Sequence, residues 1–390
     1  MTPPPPARPA LELAEVVRRH GHRLGDGLSG EHRRILRAIS SCRTAALGGH
    51  VQTCDHCPHQ RIAYNSCRNR HCPKCQASAC ARWMADRAEE LLPVEYFHLV
   101  FTLPDAFNAP ALGNQRVVYN VLFDAVAQTL LQVAADPKHL GARIGFLSIL
   151  HTWGQNLCLH PHVHCVVPGG GLSPDGKWVS CRPGFFLPVR VLSRVFRGKF
   201  IDGLKRARAS GKLIGVDDDH AFDRLLDAAV KNDWVVYAKP PFGGPAQVLK
   251  YLARYTHRIA ISNRRLVGID ERNVSFNWKD YAHHNRPRTM TLDGAEFLRR
   301  FLLHAVPPGF MRIRHFGLLA NRARAKNLTT CRRLLATPLS PVIPLVTPAT
   351  PQDACCPACG RGRLVNGPNL SPEQLRQVLR RPTILRLDSS

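Results

Sequence analysis

Apolar residues recur at helical spacing from Leu11 to about Leu47, as in Ile35, Leu36 and Ile39, and Gly48-Gly49 supplies a stop. The period is then lost: residues 50–80 are rich in Cys and His with short polar connections, and a helical stretch, Ala77–Leu92, leads to Pro93. From Glu95 the texture changes again. Glu95–Leu103 is a largely apolar run ended by Pro104, the mark of a buried strand. Residues 114–134 predict an amphipathic helix. Ile144–Trp153 and His162–Val167 predict two more strands, the second closed by Pro168-Gly169-Gly170-Gly171. Helices near 190–209 and 220–230 follow, then a strand at Trp234–Tyr237. Pro245, suited to a first helical turn, opens a helix from about Ala246 to His257. Strands around 259–268 and 273–278, a helix at 292–304 and a basic helix at 317–335 complete the ordered part. Pro338, Pro341, Pro344, Pro348 and Pro351 mark a linker to a short tail. Strands and helices interspersed without a regular βαβ cadence predict an α+β fold.

Charge narrows the partner. Lys plus Arg number 54 against 28 for Asp plus Glu, a formal charge of +26, and a compact chain tolerates that excess most readily beside a polyanion such as DNA. Most of the basic residues are arginine, which suits phosphates, although a GC-rich genome gives the same bias. No apolar run reaches the ~18–20 residues of a membrane span, and Met1–Pro6 is not a signal peptide. A membrane protein, a secreted disulfide scaffold and an acidic disordered tail are thereby excluded. The expected location is cytoplasmic and nucleoid-associated, so paired cysteines read as metal ligands before disulfides.

Cys54-x2-Cys57-x14-Cys72-x2-Cys75 is two CxxC knuckles around a short excursion, and four thiolates satisfy Zn2+ tetrahedrally. Cys67, His71, His59 and Cys80 sit close enough to substitute. The role expected is structural and DNA-docking, since four cysteines leave no open position, with Arg61, Arg68, Arg70 and Lys74 covering the knuckles with positive charge. At the other end Cys356-Pro357-Ala358-Cys359 is half a site, which Cys331 or Cys355 would complete. The expected organisation is a disordered 1–10, a helical and zinc-ribbon DNA-binding domain at 11–93, a catalytic domain at 94–335, a Pro-rich linker at 336–354, and a C-terminal tail at 355–390.

His160-Pro161-His162-Val163-His164 is the densest chemical feature. On a strand, His162 and His164 project to one face while Val163 faces the core, which is a metal-ligand arrangement. Pro161 is expected to break the ladder and leave His160 at the strand entrance. A third ligand is needed, and Gln155 could lie opposite the pair if 156–161 form a turn between antiparallel strands. Such a mixed set suits Mg2+ or Mn2+. Further on, Tyr251 and Tyr255 stand at i, i+4 and share a helix face, beside a basic stripe of Lys250, Arg254 and Arg258. Tyrosine oxygens attack phosphorus well when a metal polarises the phosphate; two core tyrosines on a DNA-facing helix are the plainer alternative.

The histidine pair followed by Tyr-x3-Tyr resembles a two-tyrosine HUH endonuclease. More closely, Tyr64–Cys75, Leu159–His164, Tyr251–Arg258 and His315–Arg322, in that order across about residues 15–335, resemble the insertion sequence 91 family of bacterial rolling-circle transposases. The resemblance implies an HUH-type central antiparallel sheet with flanking helices. It implies one divalent cation, Mg2+ or Mn2+, on His162, His164 and a third polar group, for which Gln155, His257 and His160 stay open. It further implies attack by Tyr251 or Tyr255 on single-stranded or locally melted DNA at the element's ends, a 5′-phosphotyrosine link, a free 3′-OH, and rejoining at a target site. Three rivals remain: a plasmid replication initiator or relaxase, a non-catalytic zinc-dependent DNA-binding regulator, and a transposase with an acidic triad. No Gly-x4-Gly-Lys-Ser/Thr phosphate loop accompanies the first. Against the last, Asp217-Asp218-Asp219 precedes a helix and reads as its cap.

Overall fold

The computed structural model describes residues 11–239, 247–248, 260–280, 283, 286–335 and 355–380. The expected single helical region at the N-terminus is two helices, Leu13–His20 and Gly30–Ser40, separated where Gly21, Gly25 and Gly27 cluster. In chain order the strands are β1 (Gly49–Cys54), β2 (Gln60–Tyr64), β3 (Tyr96–Thr102), β4 (Gly145–Trp153), β5 (Leu159–Pro168), β6 (Gly170–Leu172), β7 (Trp178–Ser180), β8 (Val236–Lys239), β9 (Leu266–Ile269), β10 (Asn273–Asp280), β11 (Arg286–Asp293), β12 (Ile313–Gly317) and β13 (Leu364–Leu370).

The central sheet is antiparallel in the order β12-β4-β5-β3-β8. Its two faces differ, because side chains alternate along each strand. Phe97, Leu99, Phe101, Phe146, Leu150, Val163, Cys165 and Val167 form the main core with the helices Gln115–Ala135 and Val189–Ala209. Tyr96, Leu147, Ile149 and Val166 project the other way and pack with Val248. The histidines stand on this second face. Among the described residues Gln115–Ala135 is the one helix long and apolar enough to cross a membrane; 61% of its most apolar window is buried inside the fold.

A second core lies to one side. Leu13, Val17, Ile35 and Ile39 of the N-terminal helices pack against Phe276 of β10 and against Phe297 and Phe301 of the helix Gly294–Leu303. Two polar contacts tie the same parts: the Leu13 N–H donates to Asn263 (3.1 Å), and Arg23 pairs with Asp293 (2.6 Å). Residues 13–39 therefore share their core with residues 260–305, across the boundary expected at 93.

Three elements differ from the periodicity. Ile313–Gly317, to which the pattern assigns no strand, is the edge strand β12, and the helix expected from 317 begins later, at Arg324–Leu334. β11 forms an unexpected hairpin arm with β10. The expected tail beyond the prolines supplies β13, which pairs with β1, and the helix Pro372–Arg380. Asp218 does cap its helix, accepting a hydrogen bond from the Ala221 N–H.

Candidate metal centres

β5 begins at Leu159 and runs through Pro161, where the sequence predicts a break. The ladder survives because the β4–β5 pairing carries an irregularity between His151 and Trp153, next to the residue without an N–H. On its other side the Pro161 carbonyl accepts from the Leu103 N–H at 3.0 Å. His160 is consequently inside the strand, half-buried, with Asp105 3.8 Å away.

The register decides which residue faces the histidine pair. His151 on β4 is directly opposite His162, and Ile149 is opposite His164. Gln155, expected across from the pair, instead lies in the turn beyond Trp153, its carbonyl held by Arg265. His151, His162 and His164 each place a ring nitrogen within 4.8 Å of the others. Ring centroids are 5.4 Å apart for His151 and His162, 4.4 Å for His151 and His164, and 4.8 Å for His162 and His164. Sequence reasoning passed over His151, although it has the parity that a hairpin of this length brings to His162.

The surroundings prepare these rings for a cation. His162 Nδ1 donates to the His160 carbonyl at 2.6 Å, which leaves the lone pair on Nε2. His164 Nδ1 and His98 Nε2 are 2.8 Å apart, so His98 on β3 orients the second ring from behind. Burial pushes His162 down to about 4 and His98, which also faces Lys239, down to about 3. Both are therefore neutral imidazoles, the form that binds metal. Three imidazoles lean further toward Mn2+ and the later transition metals than the two-histidine, one-amide set did.

These depressed values carry a stability prediction. His304 lies at the same turn, with Nε2 3.1 Å from the Leu157 carbonyl and Nδ1 3.3 Å from Thr152 Oγ1, and burial lowers it to about 4. An unfolded histidine takes up its proton near pH ~6.5, whereas these do not until about pH 4 or below. Stability is thus fully present above pH ~6.5 and declines as pH falls toward about 4. Urea midpoints measured between pH 8 and pH 4.5 should follow that decline, and His304→Gln should make it shallower. A flat profile in the parent protein would contradict the assignment.

The four cysteines expected to share one zinc are divided between two groups. Cys72 and Cys75 lie with Cys42 and Cys67; Cys54 and Cys57 lie with Cys356 and Cys359. The physical reason is the hairpin β1–β2, which carries the first knuckle away at its tip, while the second knuckle opens the helix Pro73–Ala88 with Cys72 as N-cap. In the first group Sγ–Sγ separations are 3.7 Å for Cys42–Cys75 and 3.5 Å for Cys67–Cys75. Four sulfurs at ~2.3 Å from one ion would sit roughly 3.8 Å apart, so the group fits Zn2+. Contacts from Cys42, then Cys67 and Cys72, hold the Cys75 thiol well below its ordinary value. Cys80 belongs to neither group, nor does His71 or His59.

The basic residues of this region are less free than the sequence suggested. Arg68 is exposed, but Arg70 turns inward to the Phe310 carbonyl. Arg61 donates to Gln52 (2.7 Å) and Lys74 pairs with Glu12 (2.7 Å). Tyr251, Tyr255, His257, Lys250, Arg254 and Arg258 lie outside the described residues.

Known proteins share both halves of this arrangement. Residues 14–103 match the family model described as "Transposase zinc-binding domain" and residues 145–327 the one described as "Putative transposase". The chain is 52% identical over 379 residues to "Putative transposase y4qJ" of Sinorhizobium fredii (strain NBRC 101917 / NGR234), covering 92% of this chain and 95% of that one. It is 29% identical over 327 residues to "Transposase for insertion sequence element IS801" of Pseudomonas savastanoi pv. phaseolicola, covering 83% and 78%. Among solved structures, the metal-bound conjugative relaxase TrwC in complex with oriT DNA aligns over 63% of this chain and 74% of that one, at 14% identity and a TM-score of 0.24. That likeness is too loose to inform the chemistry. The two family matches, a zinc-binding N-terminal region joined to a transposase region, and the relatives make this chain a transposase, a DNA-cleaving enzyme whose partner is DNA. The chain belongs to the insertion sequence 91 family of transposases.

Proposed function

We propose that this transposase nicks single-stranded or locally melted DNA at its element's ends by tyrosine attack and rejoins the strand at a target, in the rolling-circle manner. The observation that carries the reading is the three-imidazole group of β4 and β5 on the sheet face away from the main core. His151, His162 and His164 would hold one divalent cation, Mn2+ or Mg2+; bound there, it polarises the scissile phosphate and neutralises charge on its oxygens. Val248 packs against Leu147, Ile149 and Val166 on that same face. Tyr251 and Tyr255 follow it in sequence by three and seven residues, the spacing that the helix expected from the sequence would bring to one side.

The Tyr251 or Tyr255 oxygen attacks phosphorus; the new P–O bond links protein to a 5′ end, the old P–O3′ bond breaks, and the 3′ oxygen leaves with a proton as a hydroxyl. The second tyrosine serves the second strand transfer, so bond energy is conserved and no nucleotide is consumed. Lys250, Arg254, Arg258 and Arg68 would contact the backbone, in a cytoplasmic, nucleoid-associated enzyme.

The test is a covalent-adduct assay with labelled single-stranded DNA from the element's ends, run with Mn2+ or Mg2+ on denaturing gels. A metal-dependent shifted band should appear with the parent protein and vanish in Tyr251→Phe/Tyr255→Phe. No adduct beside an active control HUH enzyme, with salt-sensitive binding intact, would instead favour a zinc-dependent DNA-binding protein without catalysis.

A further inference from the structure

We infer that Cys54, Cys57, Cys356 and Cys359 form a second, composite zinc site, in which one Zn2+ clasps the C-terminal segment 355–380 onto the N-terminal zinc-binding region. The two halves are some three hundred positions apart in the chain, yet Cys54 Sγ is 3.8 Å from Cys359 Sγ and Cys57 Sγ is 3.7 Å from Cys356 Sγ. All four sulfurs lie within 4.8 Å of one another. Those separations are near the roughly 3.8 Å edge of a tetrahedron built on ~2.3 Å Zn–S bonds. They are far longer than the ~2.05 Å of a disulfide and too short to surround a multi-iron cluster. A single tetrahedral ion is what the spacing accommodates, and an all-thiolate set suits zinc.

Both halves are built as knuckles. The His56 N–H points at Cys54 Sγ and the Gly362 N–H at Cys359 Sγ, each at 3.4 Å, a backbone contact that stabilises a thiolate. The strands beneath are laced together: the Asp55 N–H donates to the Arg363 carbonyl (3.1 Å) and the Arg363 N–H to Asp55 Oδ1 (2.7 Å). Gly362 permits the approach, because a Cβ there would sit 2.5 Å from Cys54 Sγ. The residues considered for completing the half-site are elsewhere. Cys331 is buried among Leu92, Leu172, Leu318 and Leu328, and Cys355 is exposed.

The segment needs such a clasp. Its buried apolar side chains are Cys356, Leu364 and Leu375 alone among the described residues. Three buried apolar side chains and the β1–β13 ladder are a small core for a segment of this length, whose ordering must offset the conformational entropy of every residue in it. A structural zinc adds binding free energy that is folding free energy for such a segment. The clasp also makes β1 an inner strand, with β2 on one side and β13 on the other.

The experiment uses the full chain, with metal content by mass spectrometry, thiolate-to-cobalt charge transfer after Co2+ substitution, and limited proteolysis. Cys356→Ser/Cys359→Ser should carry one zinc fewer per chain than the parent and lose about half of the charge-transfer intensity, four of the eight thiolates. Its first proteolytic cuts should fall within 355–380, while Cys355→Ser behaves as the parent. Gly362→Ala, which keeps every thiol, should release the same single zinc faster to a chelator. Equal zinc in the parent and the double variant, iron in place of that zinc, or unchanged protection of 355–380 once it is lost would each overturn the proposal.

Discussion

His151→Ala is expected to lower metal-dependent strand cleavage by about a hundredfold or more, while Gln155→Ala stays close to the parent. The asymmetry follows from register. His151 is paired with His162 across the β4–β5 ladder and contributes a ring nitrogen to the three-imidazole group; Gln155 is past the last pair of that ladder. Loss of a residue that merely orients a ligand typically costs ~10–100-fold, so loss of a ligand belongs at the upper end or beyond. His98→Gln supplies the comparison, since His98 touches His164 Nδ1 at 2.8 Å and so orients a ligand from behind. Its loss should fall within ~10–100-fold and be partly recovered by raising Mn2+. Initial rates across a Mn2+ titration separate these cases. Full-strength cleavage by His151→Ala, or its collapse in Gln155→Ala, would return the third position to the amide.

The contrast between His151 and Gln155 shows where sequence reasoning stops. Period-two alternation places His162 and His164 on one face without a structure, because parity on a single strand is a local property. Which residue of the neighbouring strand stands opposite depends on where the turn is counted from, and one residue of slip exchanges faces. Leu157, at φ 62°, takes a left-handed conformation that no residue-type rule assigns to a leucine. Its carbonyl is held by His304 and the neighbouring Gln155 carbonyl by Arg265, residues more than a hundred positions away. The turn is thus fixed by tertiary contacts. The cysteines teach the same lesson on a larger scale. Cys-x2-Cys spacing identifies a knuckle, and both knuckles exist, but partnership between knuckles is set by topology. The β1–β2 hairpin separates two that are adjacent in sequence, and β13 brings in one from the far end. The Glu95–Leu103 strand, the helix at 114–134 and the α+β class were legible because each is decided by its own apolar pattern. β12 was not, since an edge strand with half-buried residues has no strong period to display.

Cys75→Ser is expected to be among the most destabilising single substitutions in the chain, well beyond Cys356→Ser/Cys359→Ser. Cys42, Cys72 and Cys75 are buried in the apolar cluster that also holds Ile39, Ile261, Phe276 and Phe301. Cys42 follows the end of the helix Gly30–Ser40, and Cys72 caps the start of Pro73–Ala88, so an ion on this group fixes two helix ends and the core between them. Structural zinc in small fingers is worth an apparent ~10–16 kcal/mol, against ~5–15 kcal/mol of net stability for a whole domain. Even a fraction of that loss cannot be absorbed. The same cluster contains Leu157, with Trp153 packed against it, which places the β4–β5 turn on the far side of the zinc-bearing core. Cleavage should therefore fail in Cys75→Ser although Cys75 belongs to a different ligand group from the histidines. Removal of residues 1–93 should fail in the same way, because Phe297 and Phe301 would lose the helices they pack against. Thermal melts should show Cys75→Ser lowered by on the order of 10 °C or more, or insoluble. A soluble variant with parental melting and intact cleavage would mean that the N-terminal zinc region is a detachable DNA reader, and that the shared core contributes nothing to the catalytic face.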